Sequence, residues 1–135
     1  MNQVDAETVA AWHYDGVYAF YDYEADPEDL TELLDPAARG DSMYSVRDDQ
    51  GDMVGFWAWS WEGDVVDFGL GLRPDLTGQG IGAKFVEAGL GFVQRRFPGT
   101  RLQLRVAAFN KRAITVYKRA GFVEVERFIN RTNGG

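Results

Sequence analysis

Apolar and polar positions alternate with period two through the middle of the chain and recur at helical spacing on either side of it. Met43–Arg47 and Met53–Trp61 read as two strands joined by the turn-rich Asp48–Asp52. In the second strand Trp57, Trp59 and Trp61 share one face, and Phe56, Ala58 and Ser60 the other. Glu62-Gly63-Asp64 is a further turn. Val65–Leu72 then sets Val66, Phe68, Leu70 and Leu72 against Asp67, Gly69 and Gly71. Two glycines on one face mark weak packing, a bulge or the close approach of a ligand. Arg101–Val106 alternates Leu102, Leu104 and Val106 with Arg101, Gln103 and Arg105, and Phe122–Ile129 reads as a last strand.

Helical signals surround these strands. Val9 and Trp12 predict a short helix over Asp5–Tyr14. An aromatic loop, Tyr18–Ala25, follows it. Asp26-Pro27 opens a second helix, which ends near Leu34 before Asp35-Pro36. Ile81, Phe85, Gly89, Val93 and Phe97 predict a long helix from about Gly78 to Phe97, stopped by Pro98-Gly99. Asn110 stands as an N-cap before a helix to Ala120, with Gly121 just past its end. The later chain is strand, helix, strand, helix, strand, which predicts an α/β sheet with some parallel pairing.

Composition narrows the chemistry. The chain has 135 residues, which suits one domain, with no interdomain linker or repeat. It has no cysteine and one histidine, His13, which argues against zinc sites, thiol nucleophiles and a Ser-His-Asp triad. His13 reads as a packing or surface residue. No long apolar run or cationic leader is present, so the expectation is a cytoplasmic protein that neither spans nor binds a membrane. The net charge of −7 hides an asymmetry. Residues 1–64 hold 16 acidic and 2 basic residues, or −14, whereas residues 65–135 hold 5 and 12, or +7. The basic part suits a phosphate-bearing ligand and the acidic part a cation or amine. A net negative charge with no basic stripe among the aromatics argues against nucleic acid.

The most informative segment is Gly71-Leu72-Arg73-Pro74-Asp75-Leu76-Thr77-Gly78-Gln79-Gly80-Ile81-Gly82. Its alternating glycines fall where a strand gives way to a helix. Helix-start N–H groups lack partners and sit at the positive end of the dipole, and glycine lets phosphate oxygens reach them. The spacing fits neither a Walker loop nor the dinucleotide fingerprint. It resembles the acyl-CoA-binding signature of the GNAT superfamily of N-acetyltransferases, which is Arg or Gln, two residues, Gly, one residue, then Gly or Ala. Gly80 and Gly82 match, while Thr77 stands where Arg or Gln is usual. A second segment, Val106–Phe122, resembles the family's later motif: Asn110 opens a helix, Tyr117 follows two turns on, and Gly121-Phe122 starts the next strand. The resemblance covers roughly Val54 to Phe128.

It implies a GNAT fold: an α/β domain with a mixed, mostly antiparallel central sheet of about six strands and flanking helices. Met1–Val4 leaves little room for the strand with which the family usually opens. Residues 1–64 would form mainly the acceptor side, 65–130 the acetyl-CoA side, and 131–135 a frayed tail. The implied reaction is direct acetyl transfer from acetyl-CoA to a primary amine of a small molecule or peptide N-terminus, without metal. The implied alternative is a non-catalytic acyl-CoA-binding sensor.

The resemblance assigns backbone N–H groups of Gln79, Gly80, Ile81, Gly82 and Ala83 to the pyrophosphate. It assigns the backbone of Leu70 and Leu72 to pantetheine and the thioester, and Asn110 to holding the cofactor. Tyr117 would donate a proton or hydrogen bond to the departing thiolate. An alkylammonium must lose a proton before it attacks, so a base is expected. Asp67 is the first candidate, with Glu62 and Asp64 as alternatives. Members that acetylate an N-terminal alanine of a ribosomal protein often carry Glu where this chain has Arg105, which argues against that substrate. Trp57, Trp59, Trp61 and the Tyr18–Tyr23 cluster suit an acceptor pocket with cation–π capacity, or a core, or a homodimer interface.

Overall fold

A computed structural model describes residues 1–14, 16–77, 80–107 and 109–123. The chain divides into two compact units, one built on Met1–Asp41 and the other on Ser42–Phe122.

In the first unit, α1 spans Gln3–Ala10 rather than the expected Asp5–Tyr14. Its cap is Asn2, whose side chain accepts the Asp5 N–H at 2.7 Å, so the helix starts early and Trp12 lies past its end. Helix thus begins at Gln3, within Met1–Val4. The aromatic segment forms two 3₁₀ turns, Gly16–Tyr21 and Tyr23–Ala25, rather than an irregular loop. Helix α2, Pro27–Leu34, starts as the sequence predicts: the Asp26 carboxylate accepts the N–H of Glu28 at 3.1 Å and of Asp29 at 3.2 Å. Asp35 caps a short α3, Pro36–Arg39, in the same way. Ala6, Val9 and Leu33 are buried, and so is Arg39. Its Nη1 donates to the Leu33 carbonyl and its Nη2 to Gln3 Oε1 at 3.0 Å, tying α3 to α1 and α2.

In the second unit the strands are β1 (Met43–Arg47), β2 (Met53–Glu62), β3 (Val65–Leu72) and β4 (Arg101–Gln103). The helices are α4 (Gly82–Arg96) and α5 (Lys111–Arg119). The sheet order is β1-β2-β3-β4, antiparallel except for the parallel β3–β4 pair, which α4 connects. These are four strands among the described residues; most of the expected strand over Phe122–Ile129 lies outside them. Parallel pairing covers only Val65–Asp67 against Arg101–Gln103. β4 therefore stops short of the predicted Val106, because alternation reports which face a side chain takes and not whether a neighbouring strand stays within reach.

One sheet face packs on α4. Trp59, Val66, Phe68 and Val93 are its buried centre, flanked by Trp57, Leu70, Leu90, Phe92, Phe97 and Leu102. Gly89 permits the approach, since a Cβ there would lie 2.8 Å from Trp57 Nε1 and 2.9 Å from Phe68 Cζ. Trp57 and Trp59 thus serve the helix–sheet core. Trp61 packs edge-on to Phe97 at 5.2 Å and stays 53% exposed.

Candidate active site

The connection from β3 to α4 is built by Arg73. Its N–H donates to the Val54 carbonyl at 2.8 Å and its Nη1 to the Met53 carbonyl at 3.0 Å. Its Nε and Nη2 grip both oxygens of Asp75, at 2.6 and 3.1 Å. That bond holds Arg73 above and Asp75 below their ordinary pKa values. Thr77 Oγ1 donates to the Pro74 carbonyl at 2.7 Å, so the residue that departs from the family pattern closes the turn.

Gly80 follows with φ +79°, a left-handed conformation that favours glycine and cannot extend a helix. Hence α4 begins at Gly82 and not at Gly78. Ile81 is its N-cap residue and offers no side-chain cap bond. The first turn holds no acidic residue, and Lys84 lies in it. A helix start with no acid and no side-chain cap, beside a cation, is suited to an anion. Among the described residues, a Cβ at Gly80 or Gly82 would meet nothing within 4 Å. Gly78 and Gln79 lie outside the described residues.

The glycines of β3 separate into two kinds. A Cβ at Gly71 would strike the Phe56 ring, so packing explains that glycine. Among the described residues, a Cβ at Gly69 would meet nothing within 4 Å. Gly69 shares with Asp67 the sheet face opposite α4, just beyond the last parallel pair, Asp67 with Gln103. Leu70 and Leu72 occupy the other face of β3, where Leu70 packs on the core.

The end of β2, β3 and the segment just past β4 bring charged groups together on the sheet face opposite α4. Arg105 Nη2 donates to Glu62 Oε2, and Arg105 Nε lies 3.4 Å from Asp67 Oδ2. Gln103 Nε2 donates to the same Glu62 oxygen at 2.8 Å. The Asp67 side chain is 26% exposed, against 61% for Glu62. Two of the three base candidates therefore share one guanidinium. Asp64 lies in the exposed turn between β2 and β3. Gln103 and Lys84 were not among the sequence candidates. Register with Asp67 and a place in the first turn of α4 were the signals for them.

Asn110 caps α5, its Oδ1 accepting the Ala113 N–H at 3.1 Å. At the other end of α5 Gly121, φ +105°, donates to the Lys118 carbonyl and Phe122 N–H to the Tyr117 carbonyl. The Phe122 ring meets the Tyr117 ring at 6.3 Å. Both bonds and the ring contact make a Schellman ending, which fixes the half-buried Tyr117 in the last turn.

A mixed sheet whose parallel pair is joined by a helix with a glycine-rich start defines the acetyltransferase fold class that the motifs suggested. The chain matches the acetyltransferase (GNAT) domain family over residues 1–123 and belongs to it. It is 33% identical over 96 residues to the mycothiol acetyltransferase of Propionibacterium freudenreichii subsp. shermanii and 35% over 98 residues to that of Streptomyces coelicolor. These matches cover 67% and 69% of this chain but 29% of each relative. The spermidine N-acetyltransferase of Vibrio cholerae, solved with CoA and spermine, superposes with a TM-score of 0.70 at 19% identity. That likeness covers 98% of this chain and 86% of the other, and it concerns the fold.

Proposed function

We propose that this chain transfers an acetyl group from acetyl-CoA directly to a primary amine. The observation that carries the reading is the start of α4: Gly80 at positive φ, no described residue within 4 Å of a Cβ at Gly82, no side-chain cap and no acid in the first turn. Backbone N–H groups of Gly80, Ile81, Gly82 and Ala83, with Gln79, take the pyrophosphate. The backbone of Leu70 and Leu72 lies along pantetheine and the thioester, and Asn110 steadies the cofactor beside α5.

The chemistry needs no covalent enzyme intermediate. An alkylammonium gives one proton to a carboxylate, Asp67 first, and the neutral nitrogen attacks the thioester carbonyl. The carbon–sulfur bond breaks as the amide forms. The second nitrogen proton is released to solvent, while Tyr117 donates to the sulfur and regains its proton from water. The acceptor is a cationic amine, the enzyme works in the cytoplasm, and two copies pair as a homodimer.

The alternative, a non-catalytic acyl-CoA sensor, draws on one observation: Arg105 already engages both Glu62 and Asp67. Two measurements separate the readings. Acetyl-CoA at 100 times its dissociation constant stabilises the fold by about 2.7 kcal/mol, and an unchanged melting temperature at saturation overturns the cofactor assignment. Tyr117→Phe lowers turnover with little change in acetyl-CoA affinity. Unchanged turnover, with chemistry rate-limiting, removes Tyr117 from the leaving-group role.

A further inference from the structure

We infer that Arg105 sets the charge of the acceptor site and so selects an amine that presents one ammonium group there rather than two closely spaced ones. The inference rests on the acetyl-transfer reading above. Glu62, Asp67 and Arg105 come from the end of β2, from β3 and from just past β4, and meet on the sheet face opposite α4. Two carboxylates and one guanidinium leave the cluster at −1. All three side chains are partly open to solvent, at 61%, 26% and 54% exposure, so an arriving cation can reach them.

One ammonium brings the cluster to neutrality. A second, carried two or three carbons away, brings it to +1 and meets the Arg105 guanidinium at close range. An acceptor carboxylate instead takes the cluster to −2. The cluster therefore matches a single positive charge. The position of Arg105 also explains why the cluster rejects the second charge rather than merely failing to attract it. The guanidinium lies between the two carboxylates, where a second ammonium would pair. Gln103 is neutral and holds Glu62 in place without changing the sum.

The test compares propylamine with 1,3-diaminopropane, reading thiol release from acetyl-CoA in the wild type, Arg105→Ala, Arg105→Lys and Glu62→Gln. Acetyl-CoA affinity and melting temperature are measured for each. Arg105→Ala shifts the ratio of kcat/KM values toward the diamine by about five-fold, the size expected of one partly exposed charge contact. Arg105→Lys keeps the wild-type ratio. Glu62→Gln weakens both amines and does not favour the diamine. An unshifted ratio in Arg105→Ala, or a shift in Arg105→Lys equal to that in Arg105→Ala, overturns the inference. If Arg105→Ala fails to fold, Arg105→Gln replaces it with the same expected shift. Absence of thiol release with every amine in the folded wild type overturns the acetyl-transfer reading instead, so the two failures are distinct.

Discussion

His13 illustrates what a single side chain does in the first unit. Its Nδ1 lies 3.0 Å from Asp22 Oδ2, and the other Asp22 oxygen accepts the Tyr14 N–H at 2.8 Å. The bond to Asp22, helped by the charges of Glu24 and Asp22, raises the imidazole above its ordinary 6.5 despite some desolvation. A raised folded value means that the contact stabilises fully below pH 6.5 and fades as pH rises through the folded value. The chain has one histidine, so its ring resonance can be followed without assignment. The expected NMR midpoint lies above 6.5, and Asp22→Asn moves it down; a wild-type midpoint at or below 6.5 contradicts the contact. Burial likewise pushes Tyr23 up to about 12 and Tyr14 in the same direction, so both stay neutral in the fold until strongly alkaline pH. None of this was legible in the sequence, where His13 read only as packing or surface. The pairing with Asp22 depends on the 3₁₀ turns that bring two residues nine apart together.

At the scale of elements, local chemistry was legible wherever a cap announced itself. Asp26-Pro27 and Asn110 opened their helices as read, and Gly121 closed α5. α1 starts before the expected Asp5 because its cap, Asn2, precedes the apolar pair Val9 and Trp12. α4 starts later than the expected Gly78 because Gly80 adopts positive φ, which apolar spacing does not report. That same start supports a prediction with opposite signs. A glutamate at exposed position 83 in the first turn complements the dipole and stabilises the free protein by about 0.3–1 kcal/mol. It also repels pyrophosphate. Ala83→Glu therefore raises the melting temperature without ligand and lowers the affinity for acetyl-CoA. A rise in stability with unchanged affinity places the phosphate elsewhere. The Glu62–Arg105–Asp67 cluster lay beyond sequence reading, since it joins residues up to 43 apart through a sheet register.

For the whole molecule, the two compact units redraw the charge division. Residues 42–122 hold 11 basic and 8 acidic residues, or +3, while residues 1–41 hold 1 and 11, or −10. The unit bearing the glycine-rich start is thus the basic one, which suits a phosphate-bearing ligand. Fold class was legible because two motifs fell in order on strand, helix, strand, helix. The acceptor was not, because charges gathered from residues far apart in the chain, such as Glu62, Asp67 and Arg105, leave no local pattern in the sequence. Among the described residues no helix is long and apolar enough to cross a membrane. Acetyl transfer to an amine is tested by incubating a panel of amines with acetyl-CoA and the protein. The panel spans alkylamines, polyamines, aminoglycosides and peptides with free N-termini, with thiol release followed and products weighed by mass spectrometry. At least one cationic amine is expected to become acetylated in step with CoA release. CoA release no faster than hydrolysis, with no acetylated product from any amine, contradicts it.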